Sequence, residues 1–170
     1  MKKATFFVAV CVALGMGAAM AQDGIMVPNR LADAKVGEWA SYSLPNGYIQ
    51  KLTVTKRFGE GPEALVSVKI ENIYDGEVVT AQEITQEAGE PTTAPEVPAQ
   101  EGVTVSVRHD TATVKGKSTP AAIVQIERFS GDEDDGKVEY WLTRDIPVFG
   151  IIKKVEDGEV QWEIAEWGED

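Results

Sequence analysis

Short runs in which apolar and polar residues alternate fill most of the chain, and four turn dipeptides separate them. These dipeptides are Asn46-Gly47, Asp75-Gly76, Asp135-Gly136 and Asp157-Gly158. Asn-Gly and Asp-Gly suit the two-residue hairpin turn whose central residues both need positive φ. The pattern therefore predicts antiparallel strands joined by tight hairpins.

The alternating runs each carry one apolar face, which is typical of strands that are covered on one side only. They lie at 52–54, 66–70, 103–107, 124–126, 138–142 and 160–164. Their number predicts a mostly β fold with little helix, in which a single antiparallel meander curves into an incomplete barrel or half-barrel, or packs as a sandwich. Residues 30–36 could form a short turn after Asn29. Residues 79–88 fit a strand or a helix, and a strand is preferred because Asp75-Gly76 needs a second strand.

The first 21 residues are organised as a cleavable secretory signal peptide. Met1-Lys2-Lys3 gives a positive start, residues 4–19 are almost wholly apolar, and Ala19-Met20-Ala21 places small residues at the cleavage site. The apolar run is shorter than the roughly 20 residues that span a bilayer. The sequence predicts cleavage after Ala21, a periplasmic or secreted protein, and one mature domain of residues 22–170.

Cleavage at this site would remove two lysines and Cys11, the chain's only cysteine, and would change the net charge from −12 to −14. A mature domain without cysteine has no disulfide and no thiol nucleophile. Nucleic acids and anionic lipid surfaces attract clustered Lys and Arg, so an acidic domain of this kind excludes nucleic acid as a partner and disfavours membrane surfaces. No membrane span is expected after cleavage.

The processing prediction can be checked by intact-mass analysis of protein exported from a bacterial host. We expect a chain that begins at Gln22, with or without cyclisation of that residue. A chain that keeps Met1 and stays in the membrane fraction would contradict soluble export.

Residues 88–102 contain three prolines and almost no large apolar side chain. Because neither flanking half holds enough strands for a core of its own, the segment predicts a mobile loop within one domain and not a domain boundary.

The sequence contains no convincing catalytic or metal-binding motif. His109 and Asp110 are adjacent, so on a strand they would point to opposite faces, and no serine elbow accompanies them. Residues 132–136 resemble an acidic calcium loop, but Gly131 and Leu142 stand where its first and last ligands belong. A solvated hairpin tip is the preferred interpretation. The sequence predicts no catalytic residue, no metal ligand and no cofactor.

Two stretches resemble known proteins: Val36-Gly37-Glu38-Trp39 through Tyr42 with the strand 50–54, and residues 140–153. The second has the order W-x-x-x-x-x-P-x-x-G-x-x-K from Trp141 to Lys153. It resembles uncharacterised exported bacterial proteins that are similar to the periplasmic lipoprotein-carrier and outer-membrane lipoprotein-receptor superfamily. That resemblance implies a curved, incomplete antiparallel barrel whose apolar concave face receives acyl chains.

The aromatic residues near the predicted strands either fill the core or line the mouth of an open barrel. The break expected around Pro147 would leave apolar side chains on the rim of such a barrel. The candidate ligand-binding residues are therefore Trp39, Trp141, Ile146, Val148, Phe149 and Trp162. The expected function is non-catalytic binding of a lipid or acyl chain, or of a partner protein. The alternatives are a structural module of the cell envelope with a closed core and a carboxylate-dependent hydrolase.

Overall fold

The computed structural model describes residues 27–93, 102–130 and 133–170. The signal peptide, residues 94–101 of the predicted loop, Gly131 and Asp132 lie outside these ranges. The strands of the described residues are β1 (Val27–Pro28), β2 (Glu38–Ser43), β3 (Ile49–Phe58), β4 (Leu65–Tyr74), β5 (Glu77–Glu87), β6 (Thr92–Thr93), β7 (Val103–Val114), β8 (Lys117–Ser130), β9 (Glu133–Leu142), β10 (Ile151–Glu156) and β11 (Glu159–Glu169).

Nine of these strands form one antiparallel sheet in the order β5-β4-β3-β2-β11-β10-β9-β8-β7, and β1 pairs with β6 in a separate two-stranded sheet. The large sheet is not closed, because β5 and β7 stand at its two ends. This open half-barrel confirms the predicted fold class. Residues 79–88 belong almost entirely to β5, as preferred, and the helical content described is the 3₁₀ turn Arg30–Asp33, capped by Asn29.

The chain does not run through the sheet as one simple meander. The strands β2 to β5 form one half and β7 to β11 form the other, and antiparallel pairing of β2 with β11 joins the halves. In that junction Tyr42 lies opposite Ile164 and Trp39 lies opposite Gly168. Strands β2 and β11, which come first and last in chain order, therefore lie at the middle of the large sheet. Its edge strands, β5 and β7, come from the middle of the sequence.

Three of the four predicted turns join neighbouring strands. Asp75 and Gly76 have φ values of 51° and 78°, and Asp157 and Gly158 have 51° and 83°, as a two-residue turn requires. Asn46-Gly47 lies between β2 and β3. The β7–β8 hairpin turns at Lys115-Gly116, with φ values of 49° and 74°, and the sequence analysis did not single out this pair.

The prediction of a hairpin turn at Asp135-Gly136 is wrong. Both residues lie within β9, where Gly136 pairs with Arg128, and the pairing of β8 with β9 continues beyond them to Ser130 and Glu133. The register shifts between Arg128 and Phe129, and Gly136 has a φ of 120° at that irregularity. A β-bulge uses the same conformational freedom as a tight turn, which explains why the dipeptide misled the prediction.

One face of the sheet, called the core face here, buries the alternating apolar residues. Leu52, Val54, Val68 and Tyr42 are at most 1% exposed on this face. The N-terminal segment closes part of the same core through Val27, Leu31 and Ala34. Arg57 secures that segment by donating to the carbonyl oxygens of Leu31, Ala32 and Ala34 at 3.1–3.4 Å.

The β7–β8 hairpin extends beyond β9, the strand beside it. It buries one face along the start of β7 and the opposite face near its turn. Its register runs from Val103–Arg128 to Val114–Lys117 without a shift, and β9 accompanies β8 only as far as the Ala122–Leu142 pair. In β7, residues 103, 105 and 107 are half-buried, whereas Ala112 and Val114 are buried on the opposite face. The free end of the hairpin therefore packs back onto the domain, and Lys115 Nζ lies 4.0 Å from the Trp167 ring.

The start of the predicted loop 88–102 is anchored. Asn29 Nδ2 donates to the carbonyl oxygens of Ala88 and Glu90 at 2.8 and 2.9 Å, and the Asn29 backbone N–H donates to Pro91 at 2.9 Å. Residues 88–91 thus join β5 to the small β1–β6 sheet.

Candidate functional site

A cleft of about 300 Å³ opens where β9 ends and the β7–β8 hairpin continues beyond it. It lies beside the break that the sequence predicts around Pro147: β9 ends at Leu142 and β10 begins at Ile151. The lining residues are Pro28, His109, Asp110, Pro120, Ala121, Ala122, Leu142, Thr143, Arg144 and Asp145. The cleft therefore draws on the four strands β1, β7, β8 and β9 and on the segment that follows β9.

The apolar part of the cleft is built by small or rigid side chains. Ala122 pairs with Leu142 across β8 and β9, and Ala121 and Pro120 follow toward the free end of the hairpin. Pro28 of β1 completes this part. Because alanine and proline side chains are short, the strands leave space here that larger side chains would fill.

Charged and polar side chains form the remaining lining. Arg144 Nη2 donates to the Pro91 carbonyl at 3.2 Å, and the Asp145 N–H donates to Thr143 Oγ1 at 3.3 Å. The Asp110 carboxylate accepts from the Thr111 N–H at 2.7 Å. His109 and Asp110 are successive strand residues, and this bond engages Asp110 with the backbone of its neighbour Thr111, so the pair lacks the arrangement of an oriented general base.

The segment that follows β9 turns its apolar residues inward. Ile146 and Val148 are fully buried in the core, and Phe149 is half-buried against it. Val148 has a φ of 68°, which is rare for a β-branched residue and directs its side chain into the core. The residues of this segment that line the cleft are Thr143, Arg144 and Asp145. The sequence analysis instead selected the apolar residues of the same segment.

Trp162 is 9% exposed and belongs to an aromatic group on the core face. Its ring lies 5.5 Å from that of Tyr42 and 6.2 Å from that of Tyr140, both in edge-on geometry. Lys154 lies opposite Trp162 and Tyr140 in the sheet and is only 7% exposed, with Nζ 3.0 Å from Glu156 Oε2.

Trp39 and Trp141 lie on the other face of the sheet, where cations cover them. Lys51 Nζ is 4.7 Å from the Trp39 ring, and Lys153 Nζ is 4.2 Å from the Trp141 ring. Arg108 also approaches Trp141, at 5.9 Å. The structure therefore does not bring the six candidate binding residues to one surface: three are in the core, two are on the opposite face, and Phe149 lies between the core and solvent.

A carboxylate beside Trp141 balances those cations. Partial burial acts to raise the pKa of Glu139, but hydrogen bonds from Lys137 and Trp141 and the charge of Arg108 outweigh it and hold this pKa below its usual value. The Glu139–Lys137 contact is 3.0 Å and the Glu139–Arg108 contact is 3.6 Å. Glu139 therefore stays ionised at neutral pH. It pairs with the positive charges of Lys137 and Arg108, which an anionic ligand at this place would need.

Within the described ranges, no group of three or more His, Cys, Asp or Glu side chains is placed to hold a metal ion. No helix in the same part of the chain is long and apolar enough to cross a bilayer.

No protein-family model matches the chain, and no curated protein matches it. One solved structure is similar: a protein from Bacteroides fragilis that is described as exported and as having a YmcC-like fold. The likeness has a TM-score of 0.50 and 12% sequence identity, and it covers 83% of this chain and 99% of the other. At this identity the comparison supports the fold. The resemblance to lipoprotein carriers stays a prediction.

Proposed function

We propose that this protein is an exported, non-catalytic binding domain that receives an apolar chain, such as the acyl chain of a lipid, in the cleft between β8 and the end of β9. The observation that supports the proposal is the lining of that cleft: Ala121, Ala122, Leu142 and two prolines surround about 300 Å³ of open space. Small-molecule sites are mostly apolar, with a few polar groups that orient the ligand.

The size and the charges of the cleft restrict the ligand. Pockets for drug-sized molecules span roughly 300–1,000 Å³, so this cleft would hold one chain and not a whole lipid. Arg144 and His109 are the basic residues of the lining, and Asp110 and Asp145 are the acidic ones. The polar end of the ligand would stay among these residues, with the chain against Ala122 and Leu142.

Export is proposed on the signal-peptide pattern, together with the fold shared with a protein described as exported. The absence of catalysis is proposed on the engagement of Asp110 with the Thr111 N–H, since this leaves His109 without an orienting carboxylate from its neighbour. Together these features favour a carrier or binding role in the periplasm or outside the cell.

The proposal is tested by native mass spectrometry of the exported protein and by titration with a dansyl-labelled fatty acid. We expect co-purified lipid and saturable binding in the wild type. Asp145→Trp, which places a large ring at the exposed mouth, and Ala122→Phe, which fills the floor, are each expected to weaken binding at least tenfold.

The matched control is Ala81→Phe, because Ala81 is exposed on β5 and far along the sheet from the cleft. It adds the same apolar ring as Ala122→Phe and should leave binding unchanged. Ala122→Phe can also cost about 1–3 kcal/mol through overpacking, so Asp145→Trp, which changes an exposed residue, decides the matter if the former unfolds. A ligand-free spectrum with no saturable binding would favour the structural module with a closed core, to which the full burial of Ile146 and Val148 already points.

A further inference from the structure

Strand β7 is a long edge strand with an open outer side. It runs from Val103 to Val114 and stands at the end of the large sheet, and no strand among the described residues pairs with its outer side. Edge strands usually carry proline, inward charges or lysines that prevent further pairing. The twelve residues of β7 include neither proline nor lysine, so its outer edge remains suited to accepting another strand.

The hairpin turn determines which backbone groups point outward. In a two-residue hairpin, the residues that flank the turn exchange both hydrogen bonds, so Val114 and Lys117 form a bonded pair and the pairs alternate from there. Thr111 then falls in a non-bonded pair with Pro120, which has no N–H to offer. The Thr111 N–H donates to its neighbour Asp110, as an outward-pointing group can. Residues 103, 105, 107, 109, 111 and 113 therefore direct their N–H and C=O groups outward.

The charges of β7 are complementary to those of a second, antiparallel β7. If His109 lies on the two-fold axis, Arg108 of each copy lies opposite Asp110 of the other, in the non-bonded type of pair whose side chains approach most closely. Moving the axis one residue in either direction places Arg108 against Arg108 or Asp110 against Asp110. Like charges directly opposite each other destabilise a sheet, so the charges select the register centred on His109.

We propose that the protein forms a two-fold dimer through antiparallel pairing of β7 with β7, with His109 at the axis. The other edge does not offer the same pairing: β5 carries Glu77, Glu83 and Glu87 and no basic residue, so two β5 strands would repel each other. A two-fold contact uses the same surface of both copies and closes after two. The Arg108 side chain is 48% exposed beside Glu139 and can reach across the axis.

Charge reversal tests the register. Sedimentation of the exported protein is expected to show a dimer whose dissociation constant rises about tenfold in Arg108→Asp and in Asp110→Arg, because each variant turns two attractive pairs into repulsive ones. The double variant R108D/D110R restores the opposite charges and should return the dissociation constant to near that of the wild type. A strictly monomeric wild type, or a dimer that neither single variant weakens, would overturn the proposal.

Cysteine cross-linking tests the axis independently, in a Cys11→Ser background that contains no other thiol. His109→Cys brings two sulfur atoms together at the axis, where the expected Cα separation of about 5.5 Å permits a disulfide. Thr111→Cys is the matched control two residues along the same edge, and its two copies would lie on opposite sides of the axis. Equal cross-linking of both variants, or a ladder of higher oligomers, which would indicate pairing of β5 with β7, would reject the dimer.

Discussion

Replacing Gly150 with alanine is expected to destabilise the fold by about 3 kcal/mol or more. Gly150 has a φ of 69°, a conformation that costs a residue with a Cβ roughly 1–2 kcal/mol. A Cβ at this position would also clash with the backbone oxygen of Thr143, and it would lie 3.2 Å from Arg30 Cβ. Because Thr143 donates its N–H to the Gly150 oxygen at 2.7 Å, the two residues cannot separate without opening the closure of the β9–β10 connection.

The matched control is Gly158→Ala, in the turn between β10 and β11. Gly158 has a φ of 83°, but a Cβ there meets nothing within 4 Å. This variant should lose only the roughly 1–2 kcal/mol of the backbone conformation. Urea unfolding of both variants measures the difference, and equal losses would show that the close approach to Thr143 relaxes at no cost.

Replacing Glu38 with alanine is expected to cost about 3–5 kcal/mol, since it leaves the Arg30 guanidinium, whose side chain is only 16% exposed, without its counter-ion. Glu38 is 7% exposed, and its two carboxylate oxygens accept from Arg30 Nη2 at 2.6 Å and from the Lys35 N–H at 2.9 Å. These bonds tie the N-terminal segment to β2, so the free energy of unfolding should fall and the segment around Leu31 should lose protection from hydrogen exchange.

The control for this charge is Glu83→Ala. Glu83 is exposed on β5 and forms a 3.6 Å ion pair with Lys56, and a hydrogen bond from the Thr55 hydroxyl lowers its pKa. Exposed pairs of this kind contribute little to stability, so Glu83→Ala should leave the free energy of unfolding almost unchanged. If denaturant unfolding gave Glu38→Ala a cost as small as that of Glu83→Ala, the Arg30–Glu38 pair would be a solvated contact and not a structural one.

The strands could be predicted because alternation is a local pattern that one buried face imposes on each strand. Asp75-Gly76 and Asp157-Gly158 worked for the same reason, since the turn is made by the two residues themselves. Lys115-Gly116 escaped notice because lysine seldom adopts positive φ. The pairing of β2 with β11 joins segments that are distant in sequence, so no local sequence pattern predicts it.

The site was less predictable than the sheet. Pro147 indicated where β9 would break, and the break is there. The inward direction of Ile146 and Val148 depends on the left-handed backbone at Val148. Valine rarely adopts this conformation, so the sequence does not predict it. The space beside Ala122 exists because the β7–β8 hairpin outruns β9, and strand lengths are set by the whole sheet.

The pairing of β2 with β11 also sets the order in which the molecule can assemble. The Ser41 hydroxyl donates to the Glu166 carbonyl across 125 positions of sequence, so this junction closes a very long loop. Long-range pairing of this kind slows folding, and the open edge of a half-formed sheet promotes aggregation. If the chain crosses a membrane from its N-terminus, β2 to β5 emerge first. The edge of β2 then stays unpaired until β11 has also crossed. The interval before that last strand arrives is when a chaperone outside the cytoplasm would be of most use.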